Sequence, residues 1–425
     1  MNKKNIVFVI LLVIFTLCGV FIGRQSKVID VYENNETNIK KSKNMLSMML
    51  ETEAGSGNYE MTTRESWPTE GYIFNTELSK CENGGELSWD DTNKIVLMSG
   101  NVSDKCYVYF DIVLLADFVI SQYNGIQGNN NIYYHDSSLT NGAKDNSYRY
   151  AGASKSVNNY VCFGSTESPC PADNLYRIIG VFDGQVKLIK ATKATSSLLG
   201  TDGGYVSDTT YRWSTLTECP SDATAYIKNE NVTKVSKKNT LAAQNVPEKP
   251  VVQSCNEWKY STFNTVNLNT NYLNNIGTTW SNMIENTTWK VSGHTTNGVT
   301  PKAMYTAEIT NATKTYGPEN GTSKIGLMYV SDYGFVASPR YWIITSTLSN
   351  YNESVNRNWM YMGLAEWTIT PDSSDSDGVF YLGSNGNLST DFASNGYGAR
   401  PVLYLKASVA YAGGSGTQSD PIIGD

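Results

Sequence analysis

Histidine is almost absent from this chain, and its cysteines lack metal-binding spacing. The two histidines, His135 and His294, lie in unrelated polar stretches. No Cys-x-x-Cys pair occurs, so a closed zinc site has no recognisable spacing here. A Ser-His or Cys-His nucleophile arrangement also lacks support. Composition therefore argues against two common kinds of catalytic or metal centre.

Charged residues are also scarce, at 17%, and they leave a net charge of −7 with a pI of about 5.1. An acidic chain without a dense basic face is a poor partner for a phosphate backbone, so we expect no nucleic-acid binding. Aromatic residues are abundant by contrast and include 28 tyrosines. This composition, over 425 residues, argues against a disordered chain and allows more than one folded domain.

Long hydrophobic runs are missing except at the N-terminus. Lys3 and Lys4 precede an apolar run over residues 6–22, which is at the short limit for a membrane span. Residues 23–26 offer no small-x-small cleavage pattern, which favours a retained anchor over a cleaved signal peptide. We therefore predict that residues 1–27 form a single-pass anchor in the cell membrane, and that the rest of the chain is extracellular.

The cysteine pattern agrees with export. With Cys18 set aside, six cysteines remain, and they fall as three neighbouring pairs. Sequence alone cannot choose among the possible pairings, and reduced, buried cysteines are the alternative. An even count in an exported chain favours disulfides. The simplest pairing joins Cys81 with Cys106, Cys162 with Cys170, and Cys219 with Cys255.

Three segments are predicted between the anchor and the large domain. Residues 28–63 are polar and predict a stalk, with a possible short helix over residues 45–50. Residues 64–111 contain short strand-like runs and turn residues, which predict a small β domain. Residues 112–130 predict a linker helix. Its apolar face would comprise Ile112, Leu115, Ala116, Val119 and Tyr123.

The remaining chain predicts a large α+β domain over residues 131–412, followed by a polar tail at 413–425. Asp183-Gly184 and Asn385-Gly386 each stand between two strand-like runs, which is the strongest local signal for a β-hairpin. Residues 267–289 have the spacing of two short helices. Residues 324–330 predict a strand that ends in a turn. Strands, then helices, then strands is an α+β order without βαβ alternation.

The C-terminal motifs carry a resemblance. A Trp-Thr-Ile-Thr-Pro segment at 367–371, the Asn-Gly hairpin, and Gly-Ala-Arg-Pro-Val-Leu-Tyr-Leu at 398–405 resemble the closing half of a bacterial surface-protein module of unknown function. That module is similar to the C-type-lectin-like fold of the formylglycine-generating, sulfatase-modifying enzymes. The resemblance covers residues 131–409 and implies fold far more than activity. It implies that Arg400 is buried or half-buried and ties the last strand to carbonyls or a carboxylate.

Two features are candidates for ligand binding. Asp372, Asp375 and Asp377 form an acidic loop that can offer oxygen ligands to calcium, although its spacing is not that of an EF-hand. A solvated turn is the alternative. Tyr397, which lies among small polar residues, is the tyrosine most expected to be exposed and to stack on a sugar or a partner. No other cofactor is expected. The resembled enzymes hold copper through two C-terminal cysteines, whereas this chain has no cysteine after Cys255.

The sequence therefore predicts a membrane-anchored surface protein with a non-enzymatic role in adhesion or in glycan or protein binding. The alternative is a secreted hydrolase or modifying enzyme on the same scaffold, for which a cleft with two facing carboxylates would be the sign. A passive envelope spacer is the third hypothesis.

Overall fold

The computed structural model describes residues 31–35, 38–42, 46–62, 64, 66–100, 104–217, 255–316, 324–343 and 355–425. The chain divides into two compact units, Met1–Val113 and Leu114–Asp425. Both are dominated by β-sheets, and the few, short helices of the described residues lie in the second unit, in agreement with the predicted α+β class. None of the helices in these ranges is long and apolar enough to cross a bilayer. The predicted anchor, residues 1–27, lies outside the described residues.

The first unit contains two sheets, ordered β2-β1-β8-β7 and β4-β3-β9-β5, with β6 also paired to β9. Its strands are β1 Val31–Asn35, β2 Asn38–Ser42, β3 Leu46–Glu51, β4 Tyr59–Met61, β5 Tyr72–Phe74, β6 Lys80–Cys81, β7 Glu86–Asp90, β8 Ile95–Ser99 and β9 Cys106–Ile112.

Strand β9 organises the core of the first unit. Its alternate residues Cys106, Val108 and Phe110 are buried, as the two-residue period of a strand requires. β3 pairs with β9 in parallel and contributes buried Leu46 and Met48 to the same core. The predicted stalk at 28–63 is therefore wrong where it is described, and so is its helix. Pairing with β9 outweighs the helix propensity of a Met- and Leu-rich run.

The second unit is built around a nine-stranded sheet with the path β19-β24-β14-β13-β12-β26-β25, to which β10 and β11 are attached at β13. The strands of this unit are β10 Ile132–Tyr134, β11 Tyr148–Tyr150, β12 Tyr160–Cys162, β13 Leu175–Phe182, β14 Gln185–Lys190, β15 Tyr205–Ser207, β16 Thr210–Arg212, β17 Trp289–Lys290, β18 Thr315–Tyr316, β19 Ile325–Gly326, β20 Glu366–Pro371, β21 Gly378–Leu382, β22 Leu388–Phe392, β23 Gly396–Tyr397, β24 Val402–Tyr404, β25 Tyr411–Gly413 and β26 Ile422–Gly424.

The helical segments of this unit are short. The α-helices are Leu115–Ser121, Ser196–Leu199, Leu273–Asn275, Thr278–Met283, Pro301–Tyr305 and Val330–Phe335. The 3-10 turns are Asn129–Asn131, Ala172–Asn174, Trp258–Tyr260 and Pro339–Tyr341, and π-helical turns occur at Phe263–Tyr272 and Thr306–Thr310. The two helices predicted over 267–289 are confirmed, with Gly277 between them.

Both hairpins predicted from the sequence are present. β13 and β14 pair around Asp183 and Gly184, whose φ values of 48° and 77° are those of a tight type I′ turn. β21 and β22 pair around Asn385-Gly386. Nearly every residue of the β13 and β14 strands is buried. They are central strands of the sheet and are covered on both faces.

The helix predicted within 112–130 is confirmed as Leu115–Ser121, and Leu115 and Val119 of its predicted apolar face are buried in the core of the second unit. Two further expectations differ from the structure. The predicted tail at 413–425 ends in β26, and Ile422 is buried beside β12. The predicted strand at 324–330 shortens to β19, and the expected turn after it is the helix Val330–Phe335.

Two of the three predicted disulfides are confirmed. Cys81 is bonded to Cys106 in the first unit, and Cys162 to Cys170 in the second. Cys255 is buried and also disulfide-bonded. Its predicted partner, Cys219, lies outside the described residues, so that pairing stays a prediction.

Candidate functional site

A cavity of about 240 Å³ lies at the turn end of the β13–β14 hairpin, and we call it the hairpin cavity. Its wall combines charged side chains with aromatic rings, a composition typical of sites that bind small polar ligands. Its lining includes Asp145 and Arg149, near and on β11; Phe182, Asp183 and Lys187 of the hairpin; Thr287 and Trp289; Tyr305; Tyr329 and Asp332; and Tyr404 of β24.

Lys187 forms a buried ion pair in the wall of the hairpin cavity. Its side chain is 1% exposed, and its Nζ lies 2.6 Å from Oδ2 of Asp332, which is 3% exposed. Rings of Phe182, Tyr329 and Tyr404 lie within 4.7 to 5.4 Å of the ammonium, close enough for cation–π contact. Burial lowers the pKa of Lys187, and the charge of Asp332 partly opposes this.

Arg149 forms the second ion pair of the cavity. Its Nη2 donates to Oδ2 of Asp145 at 2.5 Å, and its Nε donates to Oγ of Ser147 at 2.8 Å. Its guanidinium lies 4.6 Å from the centre of the Phe182 ring. Burial favours a higher pKa for Asp145, but the charge of Arg149 and hydrogen bonds from Ser147 outweigh it and hold the pKa well below the usual range. Asp145 is therefore an ionised hydrogen-bond acceptor.

Glu308 places another carboxyl close to the Lys187–Asp332 pair. Its side chain is fully buried and accepts hydrogen bonds from the backbone N–H groups of Val330 and Ser331, at the start of the helix Val330–Phe335. The hydroxyl of Thr370 also donates to it. Burial raises the pKa of Glu308 to about 7. The N-terminus of this helix thus carries two buried carboxyls, since Asp332 accepts from the backbone N–H of Tyr329.

The mouth of the cavity offers groups that a ligand can reach. Phe182, Tyr305 and Tyr404 are only partly buried, and Asp183 is exposed at the hairpin turn. A hydrogen bond links the Tyr305 hydroxyl to Asp145, and burial raises the pKa of this phenol. The Thr287 hydroxyl is buried in the wall and has no hydrogen-bond partner within the described residues. Such a group is suited to a ligand atom or a water molecule.

The predicted calcium loop has a structural explanation. The side-chain amide of Asn256 donates to the backbone carbonyls of Asp372, Asp375 and Gly378. Oδ1 of Asp372 accepts from the backbone and hydroxyl of Ser374. Within the described ranges, no group of three or more His, Cys, Asp or Glu residues is placed to hold a metal ion. Calcium binding through Asp372, Asp375 and Asp377 stays a prediction.

The other predicted residues lie away from the hairpin cavity. Tyr397 is half-buried, stacks on Tyr381 with ring centres 4.4 Å apart, and donates its hydroxyl to Asp391 at 2.6 Å. Arg400 is buried and donates to both carboxylate oxygens of Glu366, each at 2.7 Å, and to the carbonyl of Met360. Both residues are thus tied into the fold, and ligand binding by Tyr397 stays a prediction.

Sequence reasoning missed the residues of the hairpin cavity. They lie between positions 145 and 404, so no local spacing connects them. One signal was available: Lys187 stands between Val186 and Leu188, in the middle of a predicted strand. A lysine in a central strand requires a buried partner, and that partner is a site candidate.

No family model, curated protein or solved structure matches this chain. The resemblance to a C-type-lectin-like module therefore stays a prediction based on the C-terminal motifs.

Proposed function

We propose that the chain is a membrane-anchored extracellular surface protein whose second unit binds a glycan in the hairpin cavity. The observation that carries this proposal is the cavity itself. It combines partly exposed aromatic rings with an ionised carboxylate, that of Asp145, which is fixed by its ion pair with Arg149. Rings of this kind stack on the apolar face of a sugar, and fixed carboxylates accept from its hydroxyls.

The volume of the cavity favours a small unit of a glycan. About 240 Å³ is below the ~300–1,000 Å³ of sites for drug-sized ligands. A single sugar ring at the end or on a branch of a longer glycan suits this size. The ring of Tyr305 and the carboxylates of Asp145 and Asp183 lie where they can contact it.

Binding is favoured over hydrolysis because of the protonation state and burial of the carboxyl groups. A glycoside hydrolase needs one protonated carboxyl as the general acid. Asp145 is held ionised by Arg149, and the Asp332 side chain, only 3% exposed, is buried against Lys187 and out of reach of a substrate. Glu308, the carboxyl with a raised pKa, is fully buried behind the cavity. A hydrolase on this scaffold is therefore the second hypothesis.

An extracellular location is consistent with the chemistry of the chain. The two observed disulfides, and a third at Cys255, are typical of an oxidising compartment. The apolar run at residues 6–22 supplies the proposed anchor.

A glycan array with the full chain in detergent tests this proposal. Tyr305→Ala is the cavity variant, and Tyr397→Ala is its matched control, since both tyrosines are half-buried and both hydroxyls contact an aspartate. We expect Tyr305→Ala to weaken binding of the selected glycan roughly tenfold, because a stacking ring is lost, and Tyr397→Ala to leave it unchanged.

The same experiment separates the alternatives. Equal loss in both variants would place the glycan elsewhere, and binding to no glycan would contradict the proposal. Release of a free sugar from the bound glycan by the wild-type chain would favour the hydrolase. Circular dichroism of each variant checks that the fold is retained.

A further inference from the structure

Lys187 and Asp332 meet in a setting that is unusual for an ion pair. Both side chains are almost fully buried, and the charged atoms lie 2.6 Å apart. The ammonium is enclosed by aromatic rings, with Tyr329 at 4.7 Å and Tyr404 at 5.3 Å. The pair joins β14 to the helix Val330–Phe335 across 145 residues of sequence.

Such a pair is costly in its charged form. Removing two ions from water carries a large desolvation penalty, which their attraction repays only with excellent geometry and further hydrogen bonds. Transfer of a proton within the pair gives a neutral amine and a neutral acid, which low-dielectric surroundings favour. These are the two reactants of an amide bond, held in contact by the fold.

We propose that Lys187 and Asp332 become joined by an intramolecular amide bond between Nζ and Cγ. The lone pair of the neutral amine attacks Cγ, and the C–O bond to one carboxyl oxygen breaks. That oxygen leaves as water with two protons, one from the amine and one from the acid. An ammonium–carboxylate pair contains the same atoms as amine plus acid, so no oxidant, reductant or co-reactant is needed.

The surroundings supply the groups that this condensation uses. The backbone N–H of Tyr329 donates to Oδ2 of Asp332 at 3.0 Å. It can therefore stabilise negative charge on that oxygen while the tetrahedral intermediate exists, as an oxyanion-hole donor does. Oδ2 then becomes the amide oxygen, and Oδ1 is the oxygen that leaves.

Glu308 adds a second buried carboxyl at the same helix end. Its charge interacts with both Lys187 and Asp332, and burial keeps it protonated up to about neutral pH. A protonated carboxyl here avoids a second negative charge, which would hold the lysine in its unreactive ammonium form. Glu308 is thus a positioning residue that sets the protonation state of the pair.

The proposed bond goes beyond glycan binding and does not depend on it. It would link the central sheet to the helix that carries Tyr329 and Asp332, so the cavity wall could not separate when the protein is pulled or heated. For a surface protein this is a cross-link that reducing conditions cannot break.

Tryptic mapping of the full wild-type chain, reduced and denatured, tests the proposal. Trypsin does not cleave after a lysine whose amine is in an amide. We therefore expect residues 178–190 to remain uncleaved at Lys187 and to be joined to residues 325–340, at the summed peptide mass less one water. Free peptides 178–187 and 325–340, without the joined species, would overturn the proposal.

Two variants give the controls. Lys187→Arg keeps the positive charge but removes the amine, so the joined species should be absent. Glu308→Gln leaves both reactants in place and is neutral at every pH, so it should keep the wild-type joined fraction below neutral pH and exceed it in alkaline solution, where wild-type Glu308 is charged. A severalfold lower fraction in Glu308→Gln below neutral pH would overturn the role of Glu308. The wild-type map decides the main point even if Lys187→Arg fails to fold.

Discussion

Arg400 is the residue that fixes the end of the second unit. It lies just before β24, is 2% exposed, and makes a bidentate contact with Glu366 at the start of β20. A third hydrogen bond reaches the carbonyl of Met360. The planar guanidinium satisfies all three acceptors at once, which an ammonium on a flexible stem does less well.

Replacement of Arg400 by lysine is therefore expected to be costly although the charge is kept. The Arg400→Lys variant loses at least one charge-assisted hydrogen bond in a buried site, which corresponds to about 2 kcal/mol of unfolding free energy. Urea unfolding monitored by tryptophan fluorescence measures this. Arg340→Lys, at an exposed position, is the matched control and should change stability by less than about 0.5 kcal/mol. Equal effects in the two variants would contradict this account.

At the level of single residues, the sequence predicted what local chemistry determines. The cystines Cys81–Cys106 and Cys162–Cys170 follow from neighbouring cysteines. The ion pair Lys187–Asp332 follows from packing between distant segments, which no local pattern encodes. The acidic loop at 372–377 has the composition of a calcium site, and the structure adds a contact between distant segments that composition does not encode: the amide of Asn256 organises the loop carbonyls.

Among the elements, turns were predicted better than segments whose partners are distant. Asp183-Gly184 and Asn385-Gly386 determine their hairpins, because few residues adopt those turn conformations easily. β3 was missed because its state is decided by parallel pairing with β9, more than fifty residues away. β26 was missed for the same reason, since its partner β12 lies far earlier in the chain.

The disulfide at Cys106 ties β9 to β6, and its removal should loosen the first unit. The closed loop spans 25 residues, so chain entropy predicts a loss of about 3.5 kcal/mol in the double variant Cys81→Ala, Cys106→Ala. Hydrogen-exchange mass spectrometry should show faster exchange in β3 and β9. The double variant Cys162→Ala, Cys170→Ala, which opens an 8-residue loop, is expected to lose about 2.5 kcal/mol and to affect β12 and β13 instead. Faster exchange in β9 of that second variant would contradict the view that each disulfide stabilises only its own unit.

For the second unit as a whole, two buried groups oppose each other in their response to pH. Burial raises the pKa of Glu308 from its usual 4.5 to about 7, so between these values the folded state holds a proton that the unfolded state releases. Stability from this group therefore increases as pH falls from 7 to 4.5. Burial, with the charge of Arg149, lowers the pKa of His135 well below 6.5. Below pH 6.5 the unfolded state binds the extra proton, and stability decreases as pH falls.

The contributions of Glu308 and His135 to the slope of unfolding free energy against pH nearly cancel between pH 4.5 and 6.5. Replacing one of the two residues should reveal the contribution of the other. In Glu308→Gln the slope of His135 remains, so unfolding free energy should fall by up to about 1.4 kcal/mol for each pH unit below 6.5. In His135→Gln, whose amide oxygen can still accept from the backbone N–H of Ala143, unfolding free energy should rise as pH falls from 7 to 5. Urea unfolding at half-unit pH steps measures both slopes. The comparison uses the slopes of unfolding free energy against pH, because a Lys187–Asp332 cross-link adds the same amount to the unfolding free energy at every pH. If unfolding free energy depended on pH in both variants as it does in the wild type, neither Glu308 nor His135 would have the shifted pKa that burial predicts.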